Sequence, residues 1–147
     1  MKLSTRSRYG VRLLFELALN YKKGFMLLKE ISEKQDISEK YLSNIVVLLR
    51  SANLVVSARG AHGGYILAKN PSSITMKDVV DVLEGQPNLI ECIKDDKICK
   101  RHEFCPSQEL WKNLEHEISN FLQSITLQDL IDNFNKKQNK KALMFHI

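Results

Sequence analysis

The sequence predicts a mainly α-helical protein with one small β-hairpin. Apolar residues recur at helical spacing along most of the chain, and a single stretch alternates like paired strands around a glycine-rich turn. The chain has 147 residues, 44% of them hydrophobic, which is enough for a compact head and a helical appendage. No run approaches the roughly 18 apolar residues of a membrane span, and the first residues lack a secretory apolar stretch. We therefore expect a cytoplasmic protein with no membrane partner.

Positive charge is concentrated in the first half of the chain. Residues 1–70 carry 12 Lys/Arg against 5 Asp/Glu, whereas residues 71–147 carry 10 against 12. A one-sided positive field attracts polyanions, and its spread through helical segments favours a folded nucleic-acid-binding surface. Charge alone is equally compatible with a solvated basic face. The sequence shows no recognisable phosphate loop, nucleophile–base pair or paired carboxylates, so an enzyme is not expected.

The first part of the chain has the layout of a helix-turn-helix. Apolar spacing predicts helices over residues 4–21, 28–34 and 39–51, with Gly24 ending the first. Residues 35–37 make a brief connection, and Ser38 is a good N-cap for the third helix. Two helices separated by so short a turn are typical of the helix-turn-helix motif.

The third predicted helix has two chemically different faces. Its apolar positions share one face: Leu42, Ile45, Val46 and Leu49. The opposite face carries Lys40, Ser43, Asn44 and Val47. Asparagine can bond an adenine edge, serine can pair with several bases, and valine can touch a thymine methyl group. This face is a candidate for reading the major groove, although a solvent-facing helix would have the same pattern.

A hairpin is predicted directly after this helix. Residues 54–59 and 65–69 are predicted strands around the turn at residues 60–64, and Asn53 is a plausible left-handed cap. Arg59 and Lys69 bring positive charge to this hairpin, and Arg59 can enter a narrow minor groove. Helices and hairpin in this order predict a winged helix-turn-helix head over residues 1–85.

The second half predicts a loop followed by helices. A capping box at Thr75 starts a helix that ends at Gly85, and residues 86–105 form a loop. Pro106 stands at the predicted first position of a long helix. The apolar stripe of this helix comprises Leu110, Trp111, Leu114, Ile118, Phe121, Leu122 and Ile125.

That stripe is wider than one small head can cover, so we expect the long helix to pair with its twin in a homodimer. A second capping box at Thr126 predicts a short helix to about residue 134. Residues 106–135 are therefore the predicted dimerisation helices, and residues 136–147 a frayed polar tail.

All the cysteines lie close together in the predicted loop: Cys92, Cys99 and Cys105 fall within 14 residues. In a cytosolic chain, such an odd-numbered cluster favours metal or redox chemistry over a disulfide framework. Three thiolates can hold an iron–sulfur cluster or zinc, but each usually takes four protein ligands. His102 would complete a zinc set. The alternatives are a redox-sensing thiol pair and three ordinary side chains in a flexible loop.

Several segments together match a known pattern: residues 1–10, 37–42 and 56–65, the spaced cysteines, and Leu110-Trp111. From residue 1 to about residue 132 the chain resembles the Rrf2 family of winged-helix transcription factors, above all its IscR branch of iron–sulfur cluster regulators. The resemblance implies a dimeric, sequence-specific regulator of transcription that binds a pseudo-palindromic operator in double-stranded DNA. It also implies a two-iron two-sulfur cluster on Cys92, Cys99 and Cys105.

The resemblance extends to the candidate DNA contacts. Besides the reading face of the third helix, these are Arg8, Ser38, Tyr41, Arg50, Arg59, Gly60, His62, Gly63 and Gly64. The match departs at the fourth cluster ligand, because IscR proteins often have a histidine where this chain has Gln108. The candidates are His102, Gln108, Glu109 or a residue of the partner subunit. The CymR branch shares the fold without needing the three cysteines and is the less apt model.

Two rival hypotheses stay open. The first keeps the DNA-binding fold and replaces the cluster by a zinc or thiol-redox switch. The second is a protein–protein adaptor whose winged helix binds no DNA.

Overall fold

The computed structural model of the protein describes residues 3–86, 89–95 and 97–145. Parts of the predicted N-terminal head, cysteine loop and tail, namely residues 1–2, 87–88, 96 and 146–147, lie outside the described residues. The helices are α1 (Thr5–Leu19), α2 (Leu28–Gln35), α3 (Glu39–Ser51), α4 (Met76–Glu84), α5 (Glu91–Lys94), α6 (Gln108–Ser124) and α7 (Leu127–Phe145). Strands β1 (Val55–Ala58) and β2 (Gly64–Leu67) form an antiparallel hairpin. The predicted fold class, mainly α with one small hairpin, is confirmed.

Helix α1 lies at the centre of the head and packs against α3, α4 and α7. Its leucines Leu13, Leu14 and Leu17 are almost completely buried. Gly10 allows α1 to approach α4 closely, because a Cβ at this position would lie 2.2 Å from Leu83 Cδ1. The start of α1 is also joined to the end of α4, where the Ser4 backbone N–H donates to Glu84 Oε1 at 2.8 Å. The hydrogen bonds from Ser4 hold the pKa of Glu84 below its usual value.

The two predicted capping boxes both form, and they lie side by side. The Thr75 hydroxyl accepts a hydrogen bond from the Asp78 N–H while Asp78 bonds back to Thr75, and Thr126 and Asp129 do the same at the start of α7. The Leu127 N–H donates to the Ile74 carbonyl at 3.0 Å. These neighbouring helix starts attach α7 to the head. The Phe134 ring of α7 packs edge-on against the Phe15 ring of α1, with ring centroids 5.3 Å apart.

Two boundaries in the C-terminal half differ from the sequence prediction. Helix α6 begins at Gln108 after Ser107, so Pro106 precedes the helix and does not occupy its first position. Helix α7 continues to Phe145, where the sequence predicts helix only to residue 134. The residues beyond Phe134 are mostly lysine, glutamine, alanine, leucine and methionine, which favour helix, and none of them is glycine or proline. Among the described helices, none combines the length and hydrophobicity that crossing a bilayer requires.

The hairpin is hydrogen-bonded to the segment that precedes α2. The Met26 N–H donates to the Tyr65 carbonyl at 3.0 Å, and the Tyr65 N–H donates to the Met26 carbonyl at 2.8 Å. Gly64 lies at this contact with φ +137°, and a Cβ there would lie 2.6 Å from the Met26 carbonyl oxygen. Glycine is therefore required at this position by both the backbone conformation and the close approach.

We expect Gly64→Ala to lower the free energy of unfolding by about 2–4 kcal/mol, because it adds both backbone strain and a backbone collision. Gly60→Ala is the matched control, since Gly60 has φ +107° but nothing within 4 Å of its Cβ position. The control should cost about 1–2 kcal/mol from strain alone. Urea unfolding measures both values, and equal losses would contradict the role assigned to the Met26 contact.

Candidate nucleic-acid interface and cysteine loop

Helix α3 has the two faces that the sequence predicts. The inward residues Leu42, Ile45, Val46 and Leu49 are all buried. On the candidate reading face, Lys40, Asn44 and Val47 are exposed, whereas Ser43 is partly buried. Val47 keeps 56% of its surface exposed, which leaves an apolar group available for contact. The face therefore offers a cation, an amide and a branched apolar side chain to a ligand.

The first turn of α3 is held by two of the candidate DNA contacts. The Ser38 hydroxyl accepts a hydrogen bond from the Tyr41 N–H at 3.2 Å and so caps the helix. The Tyr41 ring meets the Tyr9 ring edge-on, with ring centroids 5.7 Å apart. Ser38 and Tyr41 thus fix the start of the helix, whatever they contact in a complex.

The remaining candidates lie mostly at the tip of the hairpin. Arg59, Gly60 and His62 are exposed there, and the Gly63 N–H donates to the Gly60 carbonyl at 3.0 Å to close the turn. Arg8 is exposed on α1, and Arg50 is exposed near the end of α3. Arg50 lines a groove beside β1, and Arg59 is the first residue after that strand.

That groove runs between α3 and β1 and has a volume of about 420 Å³. Its lining residues are Val47, Arg50, Ser51, Asn53, Val55, Val56 and Ser57. Val56 is 46% exposed and faces away from the core, whereas its neighbour Val55 is buried. The sequence analysis did not select Val56 or Ser57. The alternation of inward and outward residues in a strand could have indicated Val56.

The three cysteines occupy different parts of the loop. Cys92 lies in α5, Cys99 lies in a turn, and Cys105 follows the 3₁₀ turn His102–Phe104. None of the three forms a disulfide, and all three are partly exposed. Within the described residues, no group of three or more histidine, cysteine, aspartate or glutamate side chains is arranged to hold a metal ion. The structure therefore does not gather the three thiols into one ligand set.

The candidates for a fourth ligand lie at the end of the loop. The Gln108 side-chain amide contacts His102 Nε2, and the Cys105 N–H donates to the His102 carbonyl at 3.4 Å. Glu109 is exposed. The Ser107 hydroxyl lies 3.5 Å from Cys105 Sγ, and this hydrogen bond holds the pKa of the Cys105 thiol below its usual value.

An iron–sulfur group or zinc fits this loop by donor chemistry, since thiols and an imidazole are among their usual ligands. By geometry, the loop would first have to rearrange. When a site is not preformed, the binding free energy of the metal is coupled to ordering of the chain. The start of the loop is attached to α6, because the Leu89 N–H donates to Glu115 of α6 at 2.6 Å.

A protein-family model described as an iron-dependent transcriptional regulator, Rrf2, matches residues 3–133. The chain belongs to the Rrf2 family. This confirms the family resemblance on which the sequence analysis drew. It is an Rrf2-family regulator of transcription, and its named relatives CymR and IscR are transcriptional regulators, which are not enzymes.

Two relatives of this Rrf2 protein are informative. The transcriptional regulator CymR of Bacillus subtilis (strain 168) is 40% identical over 147 residues, which is 100% of both chains. Its solved structure, described as that of the global cysteine regulator of B. subtilis, has a TM-score of 0.73 at 39% identity and covers 90% of this chain and 98% of that one. The structure of T. potens IscR has a TM-score of 0.77 at 37% identity, and the match covers 94% of this chain and 91% of that one. The sequence motifs favour the IscR branch, but this Rrf2 chain is similar to both proteins at nearly equal identity.

Proposed function

We propose that this Rrf2 protein is a homodimeric regulator that binds a specific DNA sequence and responds to the state of its cysteine loop. The observation that carries the proposal is the exposed face of α3 beside the groove that α3 forms with β1. Lys40, Asn44 and Val47 are exposed on this face. Such a helix, followed by a basic hairpin, has the dimensions and chemistry to enter a major groove.

Each part of this surface has a chemical role in the proposal. Asn44 reads an adenine edge, and Val47 with Val56 contacts thymine methyl groups. Lys40 and Arg50 contact backbone phosphates, and Arg59 reaches the flanking backbone or minor groove. The positive balance of residues 1–70 supports this assignment, because phosphate contacts need cations.

The proposed dimer is supported by the apolar face of α6. Leu110, Leu114 and Phe121 are 59%, 42% and 63% exposed. These positions lie on one side of the helix, while the neighbouring side packs against α4. We propose a second copy of the chain as the occupant, since an isologous contact would bring two recognition helices to a pseudo-palindromic site.

The proposed input is the cysteine loop, residues 86–105, which connects the head to α6. Cys92, Cys99 and Cys105 would hold an iron–sulfur group, with the fourth ligand from His102, Gln108, Glu109 or the partner subunit. When bound, such a group would make the loop responsive to iron and oxidants. Because the loop follows α4 of the head directly and its Leu89 is bonded to Glu115 of α6, we propose that a rearranged loop changes the relative orientation of the two heads.

A thiol switch without metal is the second candidate input. It is favoured by the hydrogen bond between Ser107 and the Cys105 thiol, which holds the pKa of this thiol below its usual value and so makes it more reactive. It also agrees with the similarity to CymR, a protein described as a cysteine regulator.

We expect Asn44→Ala to reduce the preference for the operator by about 1–3 kcal/mol at the base pair that Asn44 reads. Arg59→Gln should instead weaken binding to all duplexes, because one phosphate contact is lost. The salt slope, which is the slope of the logarithm of the binding constant against the logarithm of the salt concentration, should fall in magnitude by about one. Lys137→Gln, on the exposed end of α7, is the charge-matched control for the second variant. Fluorescence anisotropy over a salt series measures these effects. Salt-insensitive binding without sequence preference would favour the adaptor hypothesis.

We expect Phe121→Glu to convert the dimer to a monomer, because the change places a charge in the apolar contact. Asn120→Glu introduces the same side chain on an exposed polar position of α6 and should leave the dimer intact. Sedimentation equilibrium distinguishes the two masses. A wild-type monomer, or a dimer that survives Phe121→Glu, would contradict the role given to α6.

Protein prepared without oxygen should show visible charge-transfer absorption with about two iron and two sulfide per chain. Cys99→Ala should abolish the absorption and change operator affinity, whereas Ile98→Ala removes an exposed neighbour but no donor. Metal analysis that finds zinc, or no metal, would select one of the alternative switches. Operator affinity that is identical for every state of the loop would refute the switching mechanism.

A further inference from the structure

The turn between α2 and α3 is held by few bonds of its own. Asp36 has a left-handed conformation with φ +51°. The Ile37 N–H donates to the Ser32 carbonyl at 3.2 Å, and the Ser32 hydroxyl donates to the Ile37 carbonyl at 2.6 Å. The direction in which α3 leaves this turn therefore depends on what else holds residues 35–38.

Gln35, the last residue of α2, connects this turn to α1. Its side-chain oxygen Oε1 accepts a hydrogen bond from Arg12 Nε at 2.7 Å, and its side-chain Nε2 donates to Glu16 Oε1. Arg12 also donates to the backbone carbonyl of Gln35. The amide thus presents its acceptor to a cation and its donor to a carboxylate, so both ends are matched.

Glu16 makes this contact important, because only 6% of its surface is exposed. A buried carboxylate is costly unless it is paired and hydrogen-bonded. Its other oxygen lies 3.6 Å from Lys34 Nζ, which is the residue before Gln35. Both partners of Glu16 therefore come from the last turn of α2.

The same network reaches the first turn of α3 through aromatic side chains. The Arg12 guanidinium lies over the Tyr9 ring, 5.4 Å from its centroid. The Tyr9 ring in turn meets the Tyr41 ring of α3 edge-on. One set of contacts on α1 consequently holds the end of α2 and the start of α3 together.

We propose that Gln35 is a positioning residue for the recognition helix, acting through Arg12 and Glu16, and that it contributes to DNA sequence discrimination without touching DNA. The inference rests on the proposed function. Side chains that read base edges must be held within about 0.5 Å and 10–20° to be selective. Phosphate contacts with long cationic side chains tolerate larger shifts, so loss of the network lowers specific affinity more than non-specific affinity.

The test uses Gln35→Glu in the full-length protein. The substitution keeps the size of the side chain and its bond to Arg12, but it sets a second carboxylate against Glu16. Gln128→Glu is the matched control, because Gln128 Nε2 donates to Asp132 Oδ1 at 2.9 Å on α7 and the change has the same charge. In the double variant Glu16→Gln/Gln35→Glu, the amide at position 16 again donates to the carboxylate at position 35, and the net charge returns to that of the wild type.

The probes are a duplex selected by the wild-type protein from a random library and a scrambled duplex of the same composition. The ratio of their dissociation constants should fall about tenfold in Gln35→Glu, stay within about twofold in Gln128→Glu, and return to within about threefold in the double variant. The salt slope of Gln35→Glu should equal that of the control. Circular dichroism establishes that each variant is folded, and Gln35→Met, which adds no charge, replaces Gln35→Glu if the latter unfolds.

Three results would overturn the proposal and leave the proposed function standing. An unchanged ratio in folded Gln35→Glu or Gln35→Met shows that the network does not affect reading. If the double variant does not restore the ratio of dissociation constants, the contact between Gln35 and Glu16 does not explain the effect. If the salt slope falls by about one and the affinities for the selected and scrambled duplexes fall equally, the network instead positions Arg12 for a contact with a DNA phosphate. A wild-type protein that binds both duplexes equally refutes the proposed function itself, and the inference with it.

Discussion

The packing of α1 is the interaction on which the rest of the head depends. Its buried leucines form the centre of the core, and Gly10 lets α4 approach until Leu83 fills the space that a side chain would occupy. Around the same helix, Gln35 attaches α2, Tyr9 meets α3, and Phe15 meets α7. Every element that presents a candidate DNA contact is therefore positioned, directly or through one neighbour, relative to α1.

This arrangement limits where regulation can act. The core around Leu13 and Leu14 is closely packed, and such a core does not deform gradually. Besides the packing of α6 against α4, the joint between head and α6 contains the Leu89–Glu115 hydrogen bond and a loop of partly exposed residues. In the dimer proposed above, a signal that enters at the cysteines would act through this joint on the orientation of the heads.

The loop also shows why donor chemistry and geometry have to be weighed separately. The sequence places three thiols and a histidine within a short segment, which is the composition of a metal site. In the structure the thiols lie on a helix, a turn and the end of a 3₁₀ turn, and Gln108 contacts the histidine.

Features that depend on neighbouring residues could be predicted from the sequence. Helix spacing and the Ser38 cap predicted α3 to the residue, together with its two faces. The capping boxes at Thr75 and Thr126 and the left-handed conformation at Asn53 are local in the same sense. The groove beside Val56, the bond of Gln35 to Glu16 and the placement of the thiols on different elements depend instead on tertiary packing. Gln35 and Glu16 are 19 positions apart, and nothing in the local pattern indicates that one meets the other. Contacts of that kind depend on how helices pack, which is decided by the core as a whole.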